Sequence, residues 1–196
     1  MTNHDGILRF VDPDAVALLA RTKAPRKALF LDRDGIINVD HAYVHTQAQA
    51  QWMPGIFELV AAAHAAGYIP VVVTNQAGIA RGFYDESTFL EFTRWLHAVF
   101  AEQGAALLAT FFCPHHPQAG VGSYHCECSC RKPGPGMILA AADAFAIDLS
   151  GSILIGDTAT DIAAGVAAGV GRNELVNDQS RKLSDLGELF VAGSLR

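Results

Sequence analysis

Cysteine is absent from most of this chain. All four, Cys113, Cys126, Cys128 and Cys130, fall within eighteen residues. Met1 to Phe10 lacks the basic start and apolar stretch of a signal peptide, so a cytoplasmic protein is expected. In a chain without an export signal, such clustering favours a metal over disulfides. Basic residues are also few. Fourteen Lys and Arg against twenty Asp and Glu leave a formal net charge of -6. That shortage argues against a broad nucleic-acid surface, and an anionic ligand must be held by a local cationic cluster. No apolar run approaches membrane-spanning length, so no membrane partner is expected. Charged residues make up only 17% and hydrophobic ones 51%, which excludes a disordered chain. With 196 residues, one domain with a full core is the natural reading, and a monomer is expected.

What is present is organised around Lys27-Ala28-Leu29-Phe30-Leu31-Asp32-Arg33-Asp34-Gly35. The short apolar run predicts a buried strand of a parallel sheet. Strand side chains alternate faces, so Asp32 and Asp34 start on one side, and Gly35 permits a sharp turn. Two carboxylates at the end of a buried strand are costly unless a cation neutralises them. Mg²⁺ typically takes one or two carboxylates plus substrate phosphate oxygens. Two plainer readings compete. An Asp-Gly pair also makes a hairpin turn. A calcium loop of the EF-hand type also begins Asp-x-Asp, but it wants an oxygen ligand where Ile36 stands and a glycine where Ile37 stands.

Residues 1–26 read as an N-terminal extension: a short strand over Ile7 to Val11, a helix opening at Asp12-Pro13-Asp14, and the role of a packing arm. Residues 36–53 form a long loop with Asn38, Asp40, His41, Tyr43, His45 and Gln47, and loops of this length are usually functional. Pro54 opens a helix with Ile56, Leu59, Val60 and Ala63 on one face. Ile69 to Val73 is a second buried strand. Its end, Thr74-Asn75-Gln76-Ala77-Gly78, suits capture of an anion, with a polar turn as the alternative. A helix over 85–103 turns Phe89, Phe92, Leu96, Val99 and Phe100 to the core. Leu107 to Phe112 is a third strand, followed by Cys113-Pro114-His115-His116 and Cys128-Ser129-Cys130. Arg131 and Lys132 then lead to a helix with Ile138, Ala141, Ala142 and Phe145 inward. Ile153 to Ile155 is a fourth strand, ending in Gly156-Asp157-Thr158, and a helix runs to about Ala168. A short strand near Leu175 and a weak helix near Leu186 close the chain.

Strands alternating with helices predict an α/β domain with a mainly parallel sheet, whose ligands sit off the carboxyl ends of the strands. Three strand ends place candidate groups on that rim: Asp32 with Asp34, Thr74 with Asn75, and Asp157. Lys132 supplies a positive charge. A carboxylate nucleophile, a second carboxylate for protons, a cation site, and a Lys and Thr for oxyanions make a phosphoryl-transfer set. Asp161 has two readings, as support for Lys132 or the metal, or as part of a helix start.

Asp32-Arg33-Asp34-Gly35, Thr74-Asn75, Lys132 and Gly156-Asp157 through Asp161 resemble the motifs of the haloacid dehalogenase superfamily of Mg²⁺-dependent phosphatases. Finer segments, Ile37 to His45, Thr74 to Gly82, and Cys113-Pro114-His115-His116-Pro117 with Cys128-Ser129-Cys130-Arg131-Lys132-Pro133, look like its D-glycero-D-manno-heptose 1,7-bisphosphate 7-phosphatases. The resemblance spans roughly residues 28–170. It implies a Rossmann-like three-layer fold without a separate cap domain, with residues 27–196 as a single phosphatase domain and a zinc-binding loop at 113–130. It also implies removal of the 7-phosphate through an aspartyl-phosphate, in the supply of ADP-heptose for lipopolysaccharide core. Asp32 would attack phosphorus, and Asp34 would protonate the leaving oxygen and then activate water. Mg²⁺ would be held by Asp32, the backbone carbonyl of Asp34, and Asp157. Thr74 and Lys132 would steady the phosphoryl group, and Arg131 would help recognise substrate. Asp40, His41, Tyr43, Asn75, Gln76 and Ala77 match the family's substrate-contacting segments. Thr158 stands at another such position, where the family often has Lys, so one expected cation is missing.

Cys113, His115, Cys128 and Cys130 offer three thiolates and an imidazole, a tetrahedral set that suits structural Zn²⁺. The alternative is a loop of free thiols, and Cys126, His116 and His125 are spare ligands. Two rival functions remain in view. Histidinol-phosphate phosphatase is a related enzyme with a zinc loop, although the segment from Gln76 to Gly82 favours the heptose enzymes. A non-catalytic sugar-phosphate sensor is the other, against which stands the presence of both Asp32 and Asp34.

Overall fold

The structure is a computed structural model that describes residues 7–176 and 183–190. The first six residues of the N-terminal extension and parts of the tail lie outside the described residues. The strands are β1 (Leu8–Val11), β2 (Lys27–Leu31), β3 (Tyr68–Asn75), β4 (Ala109–Cys113), β5 (Ile153–Gly156) and β6 (Arg172–Leu175). The helices are α1 (Ala17–Arg21), α2 (Ile56–Ala65), α3 (Ala77–Ala80), α4 (Glu86–Glu102), α5 (Gly136–Phe145) and α6 (Ala159–Ala168). The helix expected near Leu186 is a 3-10 stretch, Leu183–Phe190.

The strands form one sheet in the order β1-β4-β3-β2-β5-β6, parallel except for β1, which pairs antiparallel with β4. β2 sits in the middle, with Phe30 opposite Val71 on one side and Leu154 on the other. Its alternation sorts the core. Leu29 and Leu31 face a cluster with Leu59 and Val60 of α2 and Phe92, Leu96 and Phe100 of α4. Ala28 and Phe30 face the opposite cluster, with Ile138, Ala141 and Phe145 of α5 and Ala164 and Ala168 of α6. Helices thus cover both faces, as a parallel sheet requires. Fully burying one Leu or Phe side chain stabilises by about 1.5–3 kcal/mol, so these two layers hold the sheet. Val99 and Ala142, expected inside, are half-buried at the margins.

The extension places Ile7, Val11 and Leu19 against the core. β1 joins the sheet as an edge strand. No helix among the described residues is long and apolar enough to cross a membrane.

Candidate active site

A cleft of about 350 Å³ opens off the carboxyl ends of the central strands. Asp32 and Asp34 reach it from the end of β2, Thr74, Asn75 and Gln76 from β3 and its exit, and Asp157, Thr158 and Asp161 from β5 and the start of α6. Lys132 enters from the segment before α5. Gly35 has φ +87, and a side chain there would collide with the Asp157 carboxylate, so only glycine lets the β2 and β5 exits approach this closely.

Lys132 is buried, and its ammonium is fully engaged. Nζ donates to Asp32 Oδ1 at 2.7 Å, to Asp161 Oδ1 at 2.5 Å and to the Val73 carbonyl at 2.9 Å. An ammonium has three protons, so none is left over. Burial opposes its charge, but Asp32 and Asp161 together hold its pKa above the usual lysine value. The carboxylates respond differently. Burial pushes Asp32 up to about 7, against the pull of Lys132. Burial and the charge of Asp161 push Asp157 up to about 6. Burial also opposes the charge of Asp161, yet Lys132 and Thr158 outweigh it and hold this carboxyl below the usual range. Asp161 makes both kinds of contact: Oδ1 pairs with Lys132, while Oδ2 accepts from the Thr158 N–H at 3.0 Å and hydroxyl at 2.5 Å as a reciprocal cap of α6.

Asn75 ties the strand end to the lysine segment. Its Nδ2 donates to the Lys132 carbonyl, and its Oδ1 accepts from the Lys132 N–H, both at 3.0 Å. Gln76 Nε2 donates to Thr74 Oγ1 at 2.8 Å and to Asp34 Oδ2 at 3.3 Å, and Tyr84 donates to Gln76 Oε1 at 2.7 Å.

Asp40, Tyr43, Gln76, Ala77 and Thr158 line the cleft as expected substrate-side positions, together with Ala42, Gly78, Tyr84 and Thr160. His41 and Arg131 do not line it. His41 Nε2 bonds Gln51 Oε1 at 3.1 Å, and Arg131 Nη1 donates to the His115 carbonyl at 3.0 Å. Tyr84 went unnoticed in the sequence because an aromatic after a Gly-Phe pair reads as core.

The second cluster lies where β4 ends. Cys113, His115, Cys128 and Cys130 bring one ligand atom each within 4.8 Å of one another. Sulfur-to-sulfur separations are 3.0 Å for Cys130 and Cys113, 3.1 Å for Cys130 and Cys128, and 3.5 Å for Cys113 and Cys128. Cys126 stands outside the set, and His116 Nδ1 accepts from the Gln118 and Ala119 N–H groups. Immediately beyond, Gly136 N–H donates to the Ser129 carbonyl at 3.0 Å, closing the turn that presents Lys132.

Sheet order, covered faces and rim place this structure in the Rossmann-like α/β class with its ligand cleft at the carboxyl ends of the strands. A HAD-hydrolase-like family model matches residues 129–178. A D-glycero-beta-D-manno-heptose-1,7-bisphosphate 7-phosphatase from Vibrio cholerae serotype O1 is 47% identical over 166 residues, covering 85% of this chain and 89% of that protein. A D-glycero-alpha-D-manno-heptose-1,7-bisphosphate 7-phosphatase from Burkholderia mallei is 51% identical, covering 78% of this chain and 81% of that one. Among solved structures, a HAD-like phosphatase from Mesorhizobium loti superposes with a TM-score of 0.82 at 34% identity, covering 96% of this chain and 93% of that one. A D,D-heptose 1,7-bisphosphate phosphatase from B. bronchiseptica, complexed with magnesium and phosphate, gives 0.71 at 31% identity, covering 83% of this chain and 97% of that one. The chain belongs to the family of these heptose-bisphosphate 7-phosphatases, within the haloacid dehalogenase superfamily.

Proposed function

We propose that this protein is a Mg²⁺-dependent phosphatase that removes the 7-phosphate of D-glycero-D-manno-heptose 1,7-bisphosphate. The observation that carries the reading is the Asp32–Lys132–Asp161 chain at the rim, beside an Asp157 whose buried Oδ1 meets no protein donor. An orphaned carboxylate oxygen next to a second carboxylate fits a hard cation. Asp32, Asp157 and the backbone carbonyl of Asp34 would hold Mg²⁺, which supplies positive charge for the phosphoryl oxygens.

Lys132 occupies Oδ1 of Asp32, which leaves Oδ2 to attack phosphorus. As that bond forms, the bond from phosphorus to the sugar oxygen breaks, and Asp34 gives its proton to the departing oxygen. Water then attacks the aspartyl-phosphate, Asp34 takes the water proton, and inorganic phosphate leaves Asp32 free. Thr74 keeps its hydroxyl proton for a phosphoryl oxygen, since Gln76 only donates to it. Asp40, Tyr43, Gln76 and Thr158 form the wall that meets the sugar. Asn75 positions the Lys132 segment with one amide N–H and its Oδ1, and its second Nδ2 proton remains for a substrate oxygen in the cleft it lines. The Cys113, His115, Cys128 and Cys130 set would hold a structural Zn²⁺ that pins the loop before Arg131 and Lys132.

Competition kinetics test the assignment. With Mg²⁺ present, one of the two heptose bisphosphate anomers should show the highest kcat/KM in a panel that includes histidinol phosphate and common hexose phosphates. A higher value for histidinol phosphate overturns the substrate.

A further inference from the structure

Arg33 lies behind the cleft. It is 2% exposed, with its guanidinium carbon 5.5 Å from the ring centre of Phe89 and 5.4 Å from that of Phe92, both on α4. Nη2 donates to Asp34 Oδ1 at 2.9 Å and Oδ2 at 2.8 Å, and Nε donates to Oδ1 at 3.2 Å. The same Nη2 donates to the Val44 carbonyl at 2.7 Å. Nη1 is buried and makes no hydrogen bond of good geometry. A buried guanidinium with an unmatched nitrogen is costly, and an apolar side chain would fill the space between two phenylalanines at lower cost. What an apolar residue cannot do is grip a carboxylate and a loop carbonyl together. The loop in question brings Asp40, Ala42 and Tyr43 to the cleft. Asn38 Nδ2, at 3.0 Å from Oδ1, and Gln76 Nε2, at 3.3 Å from Oδ2, complete the hold on Asp34.

We infer that Arg33 is a positioning residue: it fixes the direction of the Asp34 carboxylate and couples that direction to the seating of the loop through Val44. The inference rests on the phosphatase reading of Asp34. A misdirected Asp34 fails where the leaving oxygen needs a proton and is harmless where it does not. An alkyl ester such as a sugar phosphate needs the proton, whereas 2,4-dinitrophenyl phosphate does not.

The test measures kcat on both substrates with saturating Mg²⁺, for the wild type, Arg33→Lys and Arg33→Met, with thermal midpoints recorded alongside. Lysine keeps the charge and loses the planar fork. Arg33→Lys is expected to lose about 10²-fold on the sugar phosphate, within the span of a general acid's contribution, and less than about 10-fold on the aryl phosphate. Arg33→Met should show the same selectivity. Equal losses on the two substrates, or wild-type rates on both, overturn the inference, and so does failure of both variants to fold, which makes Arg33 a structural residue. A wild type that hydrolyses neither substrate refutes the phosphatase reading itself, and the inference with it.

Discussion

Two buried polar clusters sit on the same sheet, and they are finished to different degrees. Towards the β1 edge, His97 bonds Asp12 Oδ2 at 3.2 Å through Nδ1 and Thr110 Oγ1 at 2.9 Å through Nε2, while Phe10 packs edge-on at 4.9 Å. Both ring nitrogens are matched, and Asp12 accepts in addition from the Asp14 and Ala15 N–H groups. At the cleft, the Lys132 ammonium and the Asp161 carboxylate are matched, but Asp157 Oδ1 is not. Among the described residues, three of the five buried side-chain atoms without a partner belong to Arg33, Asn38 and Asp157, in or directly behind the cleft. A closed network spends its polarity on the fold. An open one keeps polarity for a ligand, and there burial raises the carboxyl pKa values of Asp32 and Asp157.

Substitutions can break that contrast. The largest effect is expected from Asp32→Asn, which should reduce phosphatase turnover to background while the circular dichroism spectrum and thermal midpoint stay near wild type. Asp34→Asn should cost about 10²–10⁴-fold on a sugar phosphate, and the deficit should shrink with leaving groups that need no proton, read from kcat across a series of esters. Metal analysis of protein purified without chelator should find about one Zn per chain. Stripping it, or Cys130→Ser, should cost about 3 kcal/mol, seen as a fall of roughly 6–12 °C in thermal midpoint. Activity should fall with it, because the Lys132 segment follows directly from Cys130.

The smallest effect belongs to the closed cluster. His97→Phe should lower stability by about 1–3 kcal/mol in denaturant unfolding and leave kcat unchanged. The bond from His97, outweighing burial, holds the Asp12 carboxyl below its ordinary value of 3.8. A depressed folded pKa contributes stability that is complete above the unfolded value and is lost as pH falls through the folded one. The wild type should therefore lose this increment on acidification below about 3.8, and the variant should not.

Much of this was legible in the sequence. β2 to β5 announced themselves because strands buried on both faces read as unbroken apolar runs, and each ran into polar residues where the cleft lies. The sulfur cluster was legible from spacing. Side-chain direction in loops was not, because no periodicity governs it. His41 turns to Gln51 and Arg131 to the His115 carbonyl, although their neighbours Asp40 and Lys132 face the cleft. Arg33 was overlooked for a related reason: a basic residue between two aspartates reads as a spacer, and only the fold shows it wedged between two aromatic rings. β1 looked like an appendage because four residues of strand carry no sign of which neighbour they will pair with.

That pairing has a consequence for solubility. β4 reads Ala-Thr-Phe-Phe-Cys, and all five residues are buried. An uncovered strand of this composition would offer a row of free amides and carbonyls to any other chain, the starting point of sheet-to-sheet aggregation. β1 occupies that edge from Leu8 opposite Phe112 to Val11 opposite Ala109, and only partly buried residues then border the sheet on this side. A segment more than twenty residues from any site residue thus serves as an edge guard, and a chain shortened to begin after Val11 would keep its active site while gaining a self-adhesive flank.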